Sequence, residues 1–204
     1  GQNWHRSVVF DLNGERIEDD EKALKVMADR VNPDVFYGFG DDATFFVSRD
    51  GGGTFYQKQR PEGFYIGHLC GIDGLNRSEI RVESGKEGVI WISMNEGGLW
   101  RIKYDKDSDT FLGKRISKDG DKVKCQGMGK NAPNSEFKTL YINGTIDGEY
   151  GFWRSFDEGE NWQRINDENQ MYGSIRSIAG DPRTFGRFYL ATGTRGILYG
   201  EPAK

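Results

Sequence analysis

The chain has 204 residues, with 28 Lys+Arg against 32 Asp+Glu and a formal net charge of −4. That length suits one ordinary domain, and no run reaches the ~18 apolar residues that a membrane span requires. The 13% aromatic content excludes a disordered chain, the mild acidity argues against nucleic acid as the main partner, and two cysteines, Cys70 and Cys125, cannot build a disulfide framework.

The chain opens on Gly1-Gln2-Asn3-Trp4, followed by a strand-like run Ser7-Val8-Val9-Phe10. A first repeat is expected over residues 25–57. It has a proline turn at Asn32-Pro33-Asp34, an apolar pair Phe36-Tyr37, a loop with Asp41-Asp42, and the run Thr44-Phe45-Phe46-Val47. It closes on Ser48-Arg49-Asp50-Gly51-Gly52-Gly53-Thr54-Phe55, which reads Ser-x-Asp-x-Gly-x-Thr/Asn-aromatic. A second repeat, 79–113, carries Ile90-Trp91, then Gly98-Leu99-Trp100-Arg101, then a worn motif from Tyr104 to Phe111. The third, 121–164, carries Ala132-Pro133-Asn134, Leu140-Tyr141 and Gly151-Phe152-Trp153-Arg154, and repeats the full motif from Ser155 through Asp157, Gly159 and Asn161 to Trp162. The fourth, 174–200, carries Asp181-Pro182-Arg183, Phe188-Tyr189 and Gly196-Ile197-Leu198-Tyr199, and stops after three strands.

The motif-closing aromatics Trp4, Phe55, Phe111 and Trp162 are spaced 51, 56 and 51 residues apart. Short β runs with turn signals at this period indicate an all-β repeat, and four antiparallel strands per unit make the blade of a β-propeller. The whole chain, 1–204, therefore reads as one propeller region with about four blades, either part of a seven-bladed ring or a closed four-bladed ring. The run 1–10 reads as a blade-end strand. It would either complete the last blade and remove an open edge, or belong to a ring extending beyond residue 1.

Within the motif, an aspartate can accept hydrogen bonds from nearby backbone N–H groups, glycine permits positive φ, and the aromatic anchors the hairpin. Ser48, Asp50, Gly52, Thr54 and Phe55, with Ser155, Asp157, Gly159, Asn161 and Trp162, are expected to be turn staples of the Asp-box kind. They are not expected to be catalytic acids.

Several segments resemble glycoside hydrolase family 74. They are Asp29-Arg30-Val31-Asn32-Pro33, Phe36-Tyr37-Gly38 and Phe46 to Gly52, then Gly144-Thr145-Ile146-Asp147-Gly148, Phe152-Trp153-Arg154-Ser155, Arg164-Ile165-Asn166-Asp167 and Ala179-Gly180-Asp181-Pro182-Arg183. Gly186-Arg187-Phe188-Tyr189 and Gly193 to Gly200 look like that family's C-terminus. The resemblance covers 29–55 and 138–200, and departs from the family over Arg60 to Arg77. It implies the last four blades of the second of two propellers that clasp a xyloglucan or related β-1,4-glucan. It also implies inverting hydrolysis by two aspartates, one from each propeller, and an extracellular or periplasmic setting. The family's acid-bearing Gly-Asp motif has no copy here, so no catalytic residue is assigned.

Inversion needs two carboxyls roughly 6.5–9.5 Å apart, one with a raised pKa. Asp41-Asp42 and Asp19-Asp20-Glu21 read more simply as solvated turn charge. His5 and His68 with the two cysteines make no ligand pattern, so neither a metal nor a cofactor is expected, and Gly51-Gly52-Gly53 is followed by none of the residues of a phosphate loop. A Cys70–Cys125 bridge stays open.

Glycan clefts set aromatic faces and polar groups against sugar rings. The loops sharing one propeller face are Gly38–Ala43, Phe64–Gly74, Ser93–Gly97, Gly144–Tyr150, Asn166–Tyr172 and Thr192–Arg195. Tyr65, Tyr150, Tyr172 and Arg195 are the candidates for substrate contact, with packing between blades as the alternative for Tyr172 and Arg195. Trp91, Trp100 and Trp153 fall in or beside strands and are expected in the core. The expected function is one wall of the glycan cleft of a polysaccharide hydrolase, with the rest of the propeller or another chain as partner. The alternatives are a non-catalytic propeller that binds carbohydrate or protein, and a degenerate, inactive relative.

Overall fold

The apolar pairs and the glycine-led runs become the two central strands of each of four sheets. The computed structural model describes residues 3–18, 23–40, 42–64 and 78–202. The first sheet contains β1 (Val8–Phe10), β2 (Arg16–Ile17), β3 (Leu24–Ala28), β4 (Phe36–Gly40), β5 (Phe45–Ser48) and β6 (Thr54–Lys58). The second holds β7 (Glu79–Val82), β8 (Val89–Ser93), β9 (Leu99–Asp105) and β10 (Thr110–Arg115). The third holds β11 (Lys122–Gly129), β12 (Thr139–Ile146), β13 (Glu149–Ser155) and β14 (Gln163–Arg164), and the fourth β15 (Ile175–Gly180), β16 (Phe188–Thr192) and β17 (Ile197–Gly200). Among the described residues the one helical element is a 3₁₀ turn, Glu168–Gln170.

Strands β3 to β6, β7 to β10, β11 to β14 and β15 to β17 each neighbour the next in chain order. Short hairpins between sequential strands produce that order. The central strands are buried along their length, as in β5, β8 and most of β12. A strand buried on both faces loses the polar alternation of a one-sided sheet, and these runs are apolar for that reason. Trp91, Trp100 and Trp153 are buried, as expected of strand residues.

The contacts divide the chain into two compact units. One comprises the described residues within Gly1–Asn76, Ile80–Trp91 and Arg101–Lys114, the other those within Arg77–Glu79, Ile92–Trp100 and Arg115–Lys204. The first unit has an aromatic core in which Phe45 lies 5.0 Å from both Phe64 and Phe111, measured between ring centroids. The core of the second gathers Cys125, Tyr141, Phe152, Ile175, Ile178 and Leu190.

Glycines let the innermost strands of the third and fourth sheets approach closely. A Cβ on Gly127 would sit 2.4 Å from the Ile178 carbonyl oxygen, and one on Gly180 would sit 2.5 Å from the backbone of Gly129. No side chain fits there without moving backbone.

At the N-terminal end the structure departs from one of the two placements left open for the first strand and from the expected role of Trp4. β1 does not complete the last blade: it pairs in parallel with β6, Val8 opposite Thr54 and Phe10 opposite Tyr56. Ser7 Oγ and Val8 N–H donate to the carbonyls of Gly52 and Gly53, and Phe10 stacks on Tyr56 at 5.2 Å. These contacts seat β1 on the β6 edge of the first sheet, and β2 pairs with it antiparallel, so that sheet has six strands. Trp4 precedes that strand and is 90% exposed, so it does not close a hairpin as Phe55 and Phe111 do.

Candidate functional site

In the second and third sheets, the turn between the second and third strands lies at the same end as the link from the fourth strand to the next sheet. Three of the four candidate glycan residues fall at that end of the second unit. Tyr150 opens β13, opposite Thr145 of β12. Its hydroxyl exchanges hydrogen bonds with the Asn143 side-chain amide at 3.0 and 3.1 Å, and Lys124 Nζ lies 4.8 Å from its ring centroid. Asn143 is fully buried and also donates to the Gly151 carbonyl at 3.1 Å. The tyrosine is half-buried, its hydroxyl held by Asn143 and one face of its ring beside Lys124.

Tyr172 is different. It has a positive φ of 51° and stacks on buried Phe152 at 6.3 Å. It packs against the core of the second unit. Arg195 is exposed in the β16–β17 turn, where its N–H donates to Thr192 Oγ1 at 2.8 Å. The chain crosses back to that turn through Gly193 N–H, which donates to the Ser174 carbonyl, two residues after Tyr172. Tyr65, Asp41, Asp19, Asp20, Glu21, His68 and Cys70 lie outside the described residues.

Around these residues is a set of polar groups that sequence reasoning did not single out. Arg164 pairs with Glu149 and with Glu168, the latter at 2.7 Å. Asn166 Oδ1 accepts from Phe152 N–H at 2.7 Å. Lys118 binds Asp147 at 2.7 Å, and Lys122 binds Glu96 at 3.1 Å. One signal was available for Asn143: an amide inside the otherwise apolar run Leu140-Tyr141-Ile142 needs partners in its own sheet.

The two full motifs are superimposable in their bonding. Ser48 Oγ donates to Asp50 Oδ1 at 2.7 Å and accepts from Gly52 N–H at 3.0 Å, while Thr54 N–H reaches Asp50 Oδ1 at 2.9 Å. Ser155 and Asp157 make the same three bonds at 2.7, 2.9 and 3.0 Å, the last two from Gly159 and Asn161. In the worn copy, Tyr104 and Lys106 stand where serine and aspartate would be. Asp109 there accepts from Tyr104 at 2.5 Å and from Arg49 at 2.8 Å. Asp50 and Asp157 are occupied by their own turns, and Asp109 by Tyr104 of its own turn and by Arg49 of the first motif.

A further carboxylate repeats at the other turn of the same end. Tyr37 donates to Asp29 Oδ2 at 2.8 Å, Trp91 Nε1 to Glu83 Oε2 at 2.9 Å, and Tyr189 to Asp181 Oδ2 at 2.9 Å. Burial pushes the Asp29 pKa upward, but donors from Gly88, Asn32, Val31 and Tyr37 outweigh it and hold the carboxyl below its ordinary value. Asp181 is held low by the Arg183 and Thr184 N–H groups and by Tyr189. Asp50 is lowered by Ser48 and Thr54. For Asp157, burial raises the pKa and Asn161 and Ser155 lower it further than that. Each of these groups is a fixed anion, the opposite of a general acid that must carry a proton near neutrality.

No family model matches the chain. Curated relatives do. Xyloglucanase Xgh74A of Acetivibrio thermocellus is 40% identical over 181 residues, 87% of this chain and 19% of that protein. A xyloglucanase of a Paenibacillus species is 36% identical over 87% of this chain and 16% of its own length. Among solved structures, the GH74 xyloglucanase of Xanthomonas campestris matches 97% of this chain and 29% of its own, with a TM-score of 0.71 and 26% identity. This chain belongs to glycoside hydrolase family 74.

The GH74 enzyme of Niastella koreensis gives a TM-score of 0.68 at 27% identity over 86% of the family 74 chain described here. The propeller architecture inferred from the repeats is that of these neighbours. The chain spans about a fifth of the length of the curated relatives it matches. Among the described residues no helix is long and apolar enough to cross a membrane.

Proposed function

We propose that this chain is the C-terminal propeller portion of an inverting family 74 hydrolase acting on xyloglucan or a related β-1,4-glucan, and that it forms one wall of the glycan cleft. The observation that carries the reading is the 40% identity to a xyloglucanase over 87% of the chain. The wall is the end of the strands that holds Tyr150, Tyr172 and Arg195, with Tyr150 and Arg195 touching the glycan and Tyr172 bracing the wall from within. Tyr150 suits that part because its ring is pre-set by Asn143 and Lys124, so little side-chain entropy is lost on binding. The motif aspartates are structural, and both catalytic carboxylates come from outside the groups described above. A family 74 hydrolase of this kind works outside the cell or in the periplasm, where its polysaccharide is.

The remainder of the propeller, or another chain, covers β17. Ile197 is 77% exposed, while Phe45, Leu99 and Phe152, which occupy its place in the other three sheets, are buried.

The test is affinity electrophoresis of the 204-residue chain in gels containing xyloglucan, together with an assay for new reducing ends. Retardation without hydrolysis is expected, with the retardation reduced in Tyr150→Ala and in Arg195→Ala. Hydrolysis by the chain alone would overturn the assignment of chemistry to other residues. Migration unaffected by xyloglucan would overturn the cleft-wall reading.

A further inference from the structure

In the first unit, the strand ends where the proline turn and the Asp motif lie hold a cavity of about 600 Å³. Its wall comes from the β3–β4 turn, the first Asp motif, the β7–β8 loop and the β9–β10 turn.

The second unit shows what the same place looks like when it is structural. There, the residue after the motif serine is Phe156, and the fourth residue after Asp181 is Phe185. Their rings meet at 5.6 Å. In the first unit the residue after the motif serine is Arg49, and the fourth residue after Glu83 is Glu87. The registers correspond without a gap: Glu83 N–H donates to the Val89 carbonyl and Asp181 N–H to the Arg187 carbonyl, and Gly88 and Gly186 both have positive φ. One notch is filled by an aromatic pair, and the other has a cation and an anion at the same two positions and stays open.

The open notch is lined by charges of both signs, with one carboxylate in excess. Arg49, Lys103 and Lys106 stand with Asp34, Glu87, Asp105 and Asp107 around it, so three cations meet four carboxylates. Asn32, also in the wall, adds an amide that donates to Glu87 at 3.4 Å. Tyr37 and Tyr104 form the floor and are themselves buried, with hydroxyls turned to Asp29 and Asp109. An anion would face the carboxylates, and a cation the guanidinium and ammonium groups. A neutral molecule dense in hydroxyls, each both donor and acceptor, finds partners on all sides, and the volume admits one or two sugar units.

We infer that this notch is a second glycan-holding site, built from residues other than those of the proposed cleft wall, taking a short neutral stretch of the polysaccharide. The choice of glycan rests on the function proposed above; the existence of an open polar site rests on the comparison of the two notches. Its work would be to keep the polymer on the enzyme while the cleft acts.

The test is a titration of the isotope-labelled 204-residue chain with cellobiose and with xyloglucan heptasaccharide, followed by amide chemical shifts. Two groups of shifts are expected, one around Tyr150 and Arg195, the other around Gly88, Lys106 and Asp107. The double variant Arg49→Phe with Glu87→Phe imitates the filled notch. It should abolish the second group, or raise its dissociation constant at least about tenfold, and leave the first group intact. Should that variant not fold, Asp34→Ala with Asp107→Ala serves instead, because those side chains hold no turn together, and it should weaken the second group alone. Shifts confined to the Tyr150 end would overturn the second site and leave the cleft reading standing. Shifts at neither end would overturn both. Shifts at Gly88 to Asp107 elicited by phosphate and not by sugar would overturn the neutral ligand.

Discussion

Tyr37 donates its hydroxyl proton to Asp29 across a separation of eight residues, and the same carboxylate accepts a 2.9 Å bond from Gly88 N–H in the next sheet. Val31 and Asn32 N–H groups complete the set at 2.7 and 2.9 Å. One buried anion thus closes its own turn, fixes an aromatic of the second strand and ties two neighbouring sheets together.

Asp29→Ala is expected to lower stability by about 3 kcal/mol, since it leaves several buried donors without an acceptor. Asp181→Ala should cost less, about 1–2 kcal/mol. It holds Tyr189 and its own turn, and the N–H that ties the third sheet to this turn, from Lys130, goes to the Asp181 backbone carbonyl, which the substitution keeps. Urea unfolding of the two variants side by side checks the order.

The Asp motif supports a second expectation. Ser155→Ala removes both the donor to Asp157 and the acceptor for Gly159 N–H, and should cost about 1–2 kcal/mol. Ser48→Ala should cost the same within error, because its bonds are the same. Unequal costs, measured by thermal unfolding under one set of conditions, would show that the motifs are not energetically equivalent.

Gly127→Ala tests the approach of β11 to β15. The new methyl would meet the Ile178 carbonyl oxygen at 2.4 Å, and relieving that overlap means moving one strand from the other. A loss of about 2 kcal/mol or more is expected from overpacking against backbone. Gly148→Ala has open space around it and should show only the milder strain of its positive φ of 83°. Comparing the two by calorimetry separates packing from conformation.

The tyrosines set an alkaline limit. Burial, then the bond to Asp109, raises the Tyr104 pKa to about 12, and burial raises Tyr141 to about 12. Their ordinary value is 10, so the folded state binds protons that the unfolded chain releases. The resulting stability is complete below pH 10 and is lost as pH rises from 10 to 12. Asp29 acts at the other end. Its pKa is lowered from 3.8, so its contribution is full above that pH and declines as pH falls through its folded value. Phenolate absorbance followed with unfolding across pH 9–13 should show part of the tyrosine signal appearing only with loss of structure. Titration of all tyrosines near pH 10 in the folded chain would contradict the burial argument.

Four repeats, their strand order and the aromatic core could be read along the chain, because each rests on local chemistry. A glycine or proline sets a turn, an apolar run of four or five residues makes a buried strand, and Ser-x-Asp-x-Gly closes a hairpin through bonds spanning four residues. The buried tryptophans followed from their places in strands for the same reason. Pairings between distant segments were not legible. β1 could lie against any free strand edge, and only the fit of Phe10 on Tyr56 and of Ser7 on Gly52 selects β6. The division of Tyr150 and Tyr172 into a held surface ring and a core ring depends on Asn143, Lys124 and Phe152 meeting them in space. The open notch beside Arg49 is the clearest case: the sequence shows an arginine in the first repeat and a glutamate in the second where the third and fourth each have a phenylalanine, but backbone alignment of the repeats is needed to bring those four positions into correspondence. Local propensity acts through neighbours along the chain, whereas a site is made by groups that the chain separates and only folding brings within a few ångströms.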